Sequence, residues 1–129
     1  VPDDPAIQSL HQVAQPYADL ETSIAFYRDV LGLRLIARFD PPGLAFFDLR
    51  TTRLMLEQDA RSAVLYLRVP DIDDAYESLR GRGVTFDGPP HLIYRDEAGQ
   101  FGDAGEEEWM AFFRDPHDNI LALVERRRP

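Results

Sequence analysis

One pattern occurs twice in this chain, and that repeat constrains the fold more than any other feature. Gly43-Leu44-Ala45-Phe46-Phe47-Asp48, a polar turn and Leu54-Met55-Leu56-Glu57 are echoed later in the sequence. The echo is Met110-Ala111-Phe112-Phe113-Arg114-Asp115, a polar turn and Ile120-Leu121-Ala122-Leu123-Val124-Glu125. Upstream of each copy lies an alternating strand, then a short helical pattern that opens on Asp and ends at Gly: Asp19 to Gly32 and Asp71 to Gly83. A repeat of roughly 50–65 residues is too long for a solenoid unit, so it reads as two modules of one domain. Each module is too small to bury its own sheet face, and the cleft between two paired modules is the default place for function.

Size and composition agree with that reading. A chain of 129 residues with 44% hydrophobic content can form one domain with a real core. No apolar run approaches the ~20 residues that span a bilayer. The first residues lack the basic-then-apolar order of a signal peptide, so a cytoplasmic location without membrane contact is expected. With no cysteine, neither disulfides nor thiolate chemistry is available. The formal charge of −9 argues against a nucleic-acid partner, because phosphates reward clustered positive charge. That charge either favours a cationic ligand by long-range attraction or serves solubility alone. Arg126-Arg127-Arg128 sits at the chain end and reads as a solvated tail.

Along the chain, Val1 to Ser9 reads as a loose lead-in, and Leu10 to Tyr17 as a strand interrupted near Pro16. Asp19 is a natural N-cap for a helix whose Leu20, Ile24, Tyr27 and Leu31 share one face, with Gly32 as a left-handed stop. Strands are predicted at 34–39, 44–49 and 53–57, followed by a polar linker over 58–62. In the second module, a strand at 64–69 precedes a helix capped by Asp71 and striped by Ile72, Tyr76 and Leu79. Further strands are predicted at 84–86, 91–94, 109–114 and 120–124. The acidic, Gly-rich stretch 95–108 reads as a loop that is either a lid anchored by Phe101 or a mobile connector.

These residues carry a resemblance. His11-Gln12-Val13-Ala14, Asp19-Leu20-Glu21 and Ala25-Phe26-Tyr27-Arg28-Asp29-Val30-Leu31-Gly32-Leu33 resemble the opening of the vicinal oxygen chelate superfamily. That superfamily unites glyoxalases, bleomycin resistance proteins and dioxygenases. Val69-Pro70-Asp71-Ile72, Gly83-Val84 and Phe113-Arg114-Asp115-Pro116-His117-Asp118-Asn119 are similar to its second module. The resemblance spans Leu10 to Glu125. It implies an α+β fold of two paired βαβββ modules, about 10–57 and 64–125, forming a curled mixed-sheet cup with helices on the outer face. It also implies a homodimer, since many members are dimeric.

The family's chemistry rests on a divalent metal held by His or Gln on the first strand and Glu on the fourth strand of each module. The positions that match here are Gln12, Met55, Val64 and Ala122, of which only Gln12 could ligate. A metal site is therefore not expected, and no cofactor is. A displaced site using His11, Glu57, His91 and Glu125 meets a parity objection, since His11 and Glu125 should point toward the helices if Gln12 and Ala122 point inward.

Period-two alternation places Gln12, Ala14, Arg53, Met55, Glu57, Val64, Tyr66, Arg68, Ile120, Ala122 and Val124 on the inner face. Leu65, Leu67, Val69, Leu121 and Leu123 fall on the outer, helix-covered face. The expected ligand-binding residues are Gln12, Ala14, Arg53, Met55, Val64, Tyr66, Arg68 and Ala122, with Phe101 and Trp109 as aromatic walls. Arg53, Glu57 and Arg68 either orient a ligand or pair with one another at the rim, and Trp109 is equally well placed for the core. If a reaction occurs, proton transfer by Glu57 or His91 is the economical mechanism. The sequence therefore predicts a binder of a small organic molecule, acting on it as a metal-independent lyase or isomerase, or else a non-catalytic, antibiotic-sequestering protein.

Overall fold

The computed structural model describes residues 10–129, and Val1 to Ser9 lie outside the described residues. The fold is α+β, with two compact units that meet in sequence between Ala63 and Val64. Each unit holds one mixed four-stranded sheet in βαβββ order.

The first unit comprises β1 (Gln12–Gln15), α1 (Leu20–Ala25), β2 (Leu35–Phe39), β3 (Leu44–Leu49) and β4 (Thr52–Glu57), in sheet order β1-β4-β3-β2. β1 runs parallel to β4, and the other neighbours are antiparallel. Asp19 caps α1 as expected, accepting from the Thr22 amide at 2.9 Å. The predicted helix does not continue as an α-helix to Gly32. From Phe26 to Val30 it widens into a π-helical turn, with the Leu31 amide bonding the Phe26 carbonyl at 3.0 Å. This turn seats Tyr27, fully buried, between Phe26 and Phe47 at ring separations of 5.4 and 5.6 Å.

The second unit repeats the order with β5 (Leu65–Arg68), α2 (Ile72–Gly81), β6 (His91–Asp96), β7 (Glu106–Arg114) and β8 (Ile120–Arg127), in sheet order β5-β8-β7-β6. The residues predicted as a strand at 84–86 form only a single bridge, Phe86 to Phe113. β7 and β8 are longer than the sequence pattern suggested, because charged residues extend both strands beyond their apolar centres.

The repeat read from the sequence is a repeat of packing. Ala45 and Phe47 on β3 and Leu54 and Leu56 on β4 are fully buried on one face of the first sheet. Ala111 and Phe113 on β7 and Leu121 and Leu123 on β8 are their counterparts in the second. Phe46 and Phe112, one residue along, point to the opposite face and are half-buried. Each aliphatic or aromatic side chain buried this way stabilises its unit by about 1.5–3 kcal/mol. The tight β3–β4 turn places Arg50 at φ 67°, and its amide bonds the Asp48 carboxylate at 2.9 Å. The β7–β8 turn uses Asp115 in the same way. Its carboxylate accepts from the amides of His117 and Asn119 and from the Asn119 side chain, with Asp118 at φ 66°. His117 is thus a turn residue.

Gly43 is required at its position. Its φ is +105°, and an added Cβ would lie 2.7 Å from the Tyr17 hydroxyl, which donates to the Gly43 carbonyl at 2.8 Å. The segment after β4 is held by a buried polar clamp rather than left as a free linker. Gln15, fully buried, donates from Nε2 to the Ala63 carbonyl at 3.0 Å and accepts from the Ala63 amide at 2.7 Å. Gln15→Leu would keep the volume and strip both partners from Ala63. An unsatisfied backbone group costs about 1–3 kcal/mol, so urea unfolding should show a loss of about 2 kcal/mol with an unchanged m-value.

Candidate functional site

In each unit the helix covers one face of the sheet and leaves the other without a helical layer. The open face of the first sheet carries Gln12 and Ala14 from β1, Arg53, Met55 and Glu57 from β4, Leu44, Phe46 and Asp48 from β3, and Ala37 and Phe39 from β2, as the register dictates. Its centre is a connected cluster. Arg53 Nε donates to Gln12 Oε1 at 2.7 Å, and Gln12 Nε2 faces Met55 Sδ at 3.6 Å. The Arg53 guanidinium lies 5.4 Å from the Phe46 ring centroid, within cation–π range. Phe39, 52% exposed, meets Phe46 edge-on at 5.8 Å.

The open face of the second sheet carries Tyr66 and Arg68 from β5, Ala122 and Val124 from β8, Met110 and Phe112 from β7, and His91 and Tyr94 from β6. Tyr66, 58% exposed, and Phe112 meet edge-on at 6.3 Å, and the fully buried Ala122 lies between them in the register. Val64 is exposed and precedes β5. His91 is also exposed, with Nδ1 3.2 Å from the Pro89 carbonyl.

Trp109 lies on the other face, pairing in register with Glu125 and sharing a side with Ala111 and Phe113. Its indole donates to Glu107 at 3.0 Å, and the Arg127 guanidinium stacks 4.5 Å from its ring. Glu125 is on this side too, where it accepts from the Ile72 amide at 2.8 Å and so caps the start of α2. His11 precedes β1 and is exposed.

Arg126 and Arg127 are not part of a solvated tail, although Arg128 is exposed. β8 runs through Arg127, and strand parity sends Arg126 and Arg127 to opposite faces. Arg126, only 8% exposed, contacts Asp96 at 2.6 Å, Glu106 at 2.8 Å and Glu108 at 3.1 Å. Arg128 contacts Asp103 at 2.6 Å. Arg95 pairs with Glu107. The acidic stretch is accordingly a built turn. β6 and β7 take up its ends, and the fully buried Asp96 carboxylate accepts from the amides of Gln100 and Phe101 at 2.8 and 2.9 Å. Phe101, 71% exposed, stands edge-on to Tyr94 at 6.1 Å. Nothing local in the sequence marks this network, because the arginines that balance the carboxylates of 95–108 are brought to them by β8.

Burial opposes ionisation of Asp96, but the Arg126 guanidinium and the two amides outweigh it and hold the carboxyl down at about 2. The same carboxylates raise Arg126 above its ordinary value. The Trp109 indole, with Arg95, lowers Glu107. Because the Asp96 pKa is depressed on folding, its stabilising contribution is complete above the unfolded carboxyl range and disappears as pH falls through about 2. Thermal melts between pH 5 and 2 should therefore show a steep acid loss that is blunted in Asp96→Asn, a variant already less stable at neutral pH.

The positions that match the metal ligands of the resembling family do not fit a divalent ion. Both ends of the Gln12 amide are engaged, one by a guanidinium that would repel a cation. Met55 and Ala122 occupy equivalent places, opposite Phe46 and Phe112, and Val64 offers only methyl groups. Among the described residues no group of three or more His, Cys, Asp or Glu could hold a metal. Elemental analysis of protein purified without chelator should find well under one equivalent of Zn, Ni, Mn or Fe. A stoichiometric metal that survives dialysis and is lost in Glu57→Gln or His91→Ala would reverse this assignment.

The two units share the βαβββ order, the same packing of their sheets and the same kind of turn between their last two strands. A model of the Glyoxalase/Bleomycin resistance protein/Dioxygenase superfamily matches residues 9–123, and the chain belongs to that superfamily. It is similar to the antibiotic binding protein TnmS3 from Streptomyces sp. CB03234, with 24% identity, a TM-score of 0.75, and coverage of 95% of this chain and 99% of that one. A superfamily member from Sphaerobacter thermophilus DSM 20745 is 26% identical with a TM-score of 0.72, covering 92% and 98%. A lactoylglutathione lyase from Agrobacterium tumefaciens, 19% identical, shares the fold with a TM-score of 0.71, covering 94% and 96%. In sequence the chain is 27% identical over 128 residues to the uncharacterized protein YraH of Bacillus subtilis (strain 168), covering 83% of this chain and 90% of that one. Among the described residues, no helix is long and apolar enough to cross a membrane.

Proposed function

We propose that the open face of each sheet is a binding surface for small organic molecules, without a metal, and that binding rather than turnover is the activity of this protein. The observation that carries this reading is the set of exposed and half-buried aromatic and apolar side chains there. Phe39 and Phe46 lie on the first sheet, and Tyr66, Met110, Phe112 and Tyr94 on the second. Solvated aromatic rings interleaved with a few polar groups are the ordinary lining of an organic-ligand site. The likeness to an antibiotic binding protein supports the choice of ligand class. Gln12, Ala14, Arg53, Met55, Val64, Tyr66 and Arg68 are the proposed binding residues, with Phe101 at the end of the second face. Ala122, covered by Tyr66 and Phe112, acts as the small residue that lets those rings meet. A homodimer is the proposed assembly, supported by the exposed Leu92, Ile93 and Tyr94 of the edge strand β6.

One observation favours a catalytic reading beside it. Glu57 is half-buried on the same face as Met55, and its side chain has no hydrogen-bond or ion-pair partner among the described residues. A carboxylate placed beside a bound molecule could move a proton, with His91 as a second candidate. Calorimetric titration with a panel of aromatic antibiotics, bleomycin included, tests the binding reading, followed by mass analysis of the recovered compound. Unchanged compound, with an affinity lost in Phe46→Ala or Tyr66→Ala, supports binding. Conversion abolished by Glu57→Gln, with affinity kept within a few-fold, would establish catalysis instead. No binding across the panel would overturn the proposal.

A further inference from the structure

The chain carries more acid than base, and most of its arginines are paired with carboxylates. Arg28, Arg34, Arg38, Arg80, Arg95, Arg114, Arg126, Arg127 and Arg128 each lie within 4.0 Å of an Asp or Glu. Arg53, on the open face of the first sheet, is an exception, with no carboxylate partner among the described residues. A carboxylate stands directly across from it in the register, but Asp48 turns instead to Arg34 at 3.6 Å and to the Arg50 amide at 2.9 Å. Glu57, two positions further along the same face of β4, does not reach Arg53 either. Arg68, on the open face of the second sheet, also has no carboxylate partner among the described residues, but of the two only Arg53 is held by a side-chain hydrogen bond and an aromatic ring.

Arg53 is exposed, but two contacts orient it. Its Nε bonds Gln12 Oε1 at 2.7 Å, and its guanidinium lies 5.4 Å from the Phe46 centroid. Gln12 in turn is steadied by Met55. Anchoring through Nε leaves both terminal nitrogens without a partner, and these are the two donors of the guanidinium that form a fork toward one carboxylate. Phe46 and Phe39, edge-on at 5.8 Å, supply an apolar shelf beside that fork. A guanidinium held over a ring but not neutralised is organised for an anion that also brings a flat apolar surface.

We propose that Arg53 is the anion-recognising residue of this face and that the molecule bound there is an aromatic acid. The assignment rests on the open faces being the binding surface. The carboxylate engages the two terminal nitrogens, and the ring lies against Phe46 and Phe39. Gln12 is a positioning residue, since it acts by holding Arg53.

The test compares 2-naphthoate with its neutral analogue 2-naphthamide, titrated into the full chain and followed by backbone amide shifts. Naphthoate should bind on the order of tenfold more tightly, consistent with a charge-assisted pair of hydrogen bonds. The shifts should centre on the four strands of the first sheet, β1 to β4. Arg53→Met should abolish the preference while keeping the weak binding of naphthamide. Arg28→Gln, which removes the same charge from the helical side, should leave it intact. Gln12→Ala should reduce the preference partially, because the guanidinium then loses its anchor. Equal affinity for the two compounds, or a preference that survives Arg53→Met, overturns the acid assignment and leaves the open-face reading standing. Shifts confined to the second sheet overturn the assignment to Arg53 alone, whereas shifts confined to the helices, or absent at millimolar concentration with both compounds, overturn the two together.

Discussion

One helix covers one face of a four-stranded sheet, and the rest of this molecule follows from how each unit treats the other face. The side-chain period of a strand is two, so the residue after each buried core residue must point away from the helix. Phe47 and Phe46 share one strand and divide between the core and the open face, as Phe113 and Phe112 do in the second unit. The hydrophobic effect fixes the first of each pair. The second lies outside that core and is only half-buried. The apolar residues of the open faces are thus not failures of packing; they are the half of the alternation that the core leaves unused.

Parity also explains how so acidic a chain holds its charged strand ends together. Arg126 and Arg127 are neighbours in sequence yet serve opposite sides of β8. The first gathers Asp96, Glu106 and Glu108; the second reaches Glu125 and stacks on Trp109. Three carboxylates around one guanidinium would repel one another in isolation. Their mutual repulsion is offset because the guanidinium is nearly buried and Asp96 draws two further backbone donors. The turn over 97–105 is therefore shaped from within by Asp96, and a substitution there acts on the end of the sheet as well as on the turn.

Much of the fold was legible in the sequence because its signals are local. Asp19 and Asp71 announce helix starts, Gly32 and Gly83 take the left-handed φ that follows a helix end, and the alternation around Phe46 and Phe112 sets strand faces. The signals that failed involve partners far apart in sequence. Nothing near Gln15 reveals that it clamps Ala63, and Arg126 looks like part of a charged tail until β8 is paired with β7. The π-helical turn at Phe26–Val30 has no local marker either, since Leu20, Ile24, Tyr27 and Leu31 fit α-helical spacing. At the candidate site the residue types were legible and the pairings were not. Gln12 is recognisable as a lone polar residue, but only the register places Arg53 beside it and takes Asp48 elsewhere. Trp109 could be assigned to core or ligand wall from the sequence, and its parity with Phe113 puts it on the helix-covered side of the sheet.

The charge of the whole chain and the charge at Arg53 act at different ranges, and this separates how a ligand arrives from what holds it. The net −9 produces a field that attracts cations, but at physiological salt it decays over about 8 Å. At contact distance the outcome is set by the nearest donors, and on the first sheet these are the terminal nitrogens of a guanidinium with no carboxylate of its own. On the proposed assignment an aromatic acid therefore meets a repulsive field at a distance and a complementary fork on arrival. Added salt should screen the first and weaken the second only partly, because the fork acts through directed hydrogen bonds over an aromatic shelf. The two effects oppose each other in the association rate and the residence time. Specificity for an acid can then coexist with an acidic surface, since the selection is made by a few atoms that the sheet holds apart from the carboxylates nearest to them.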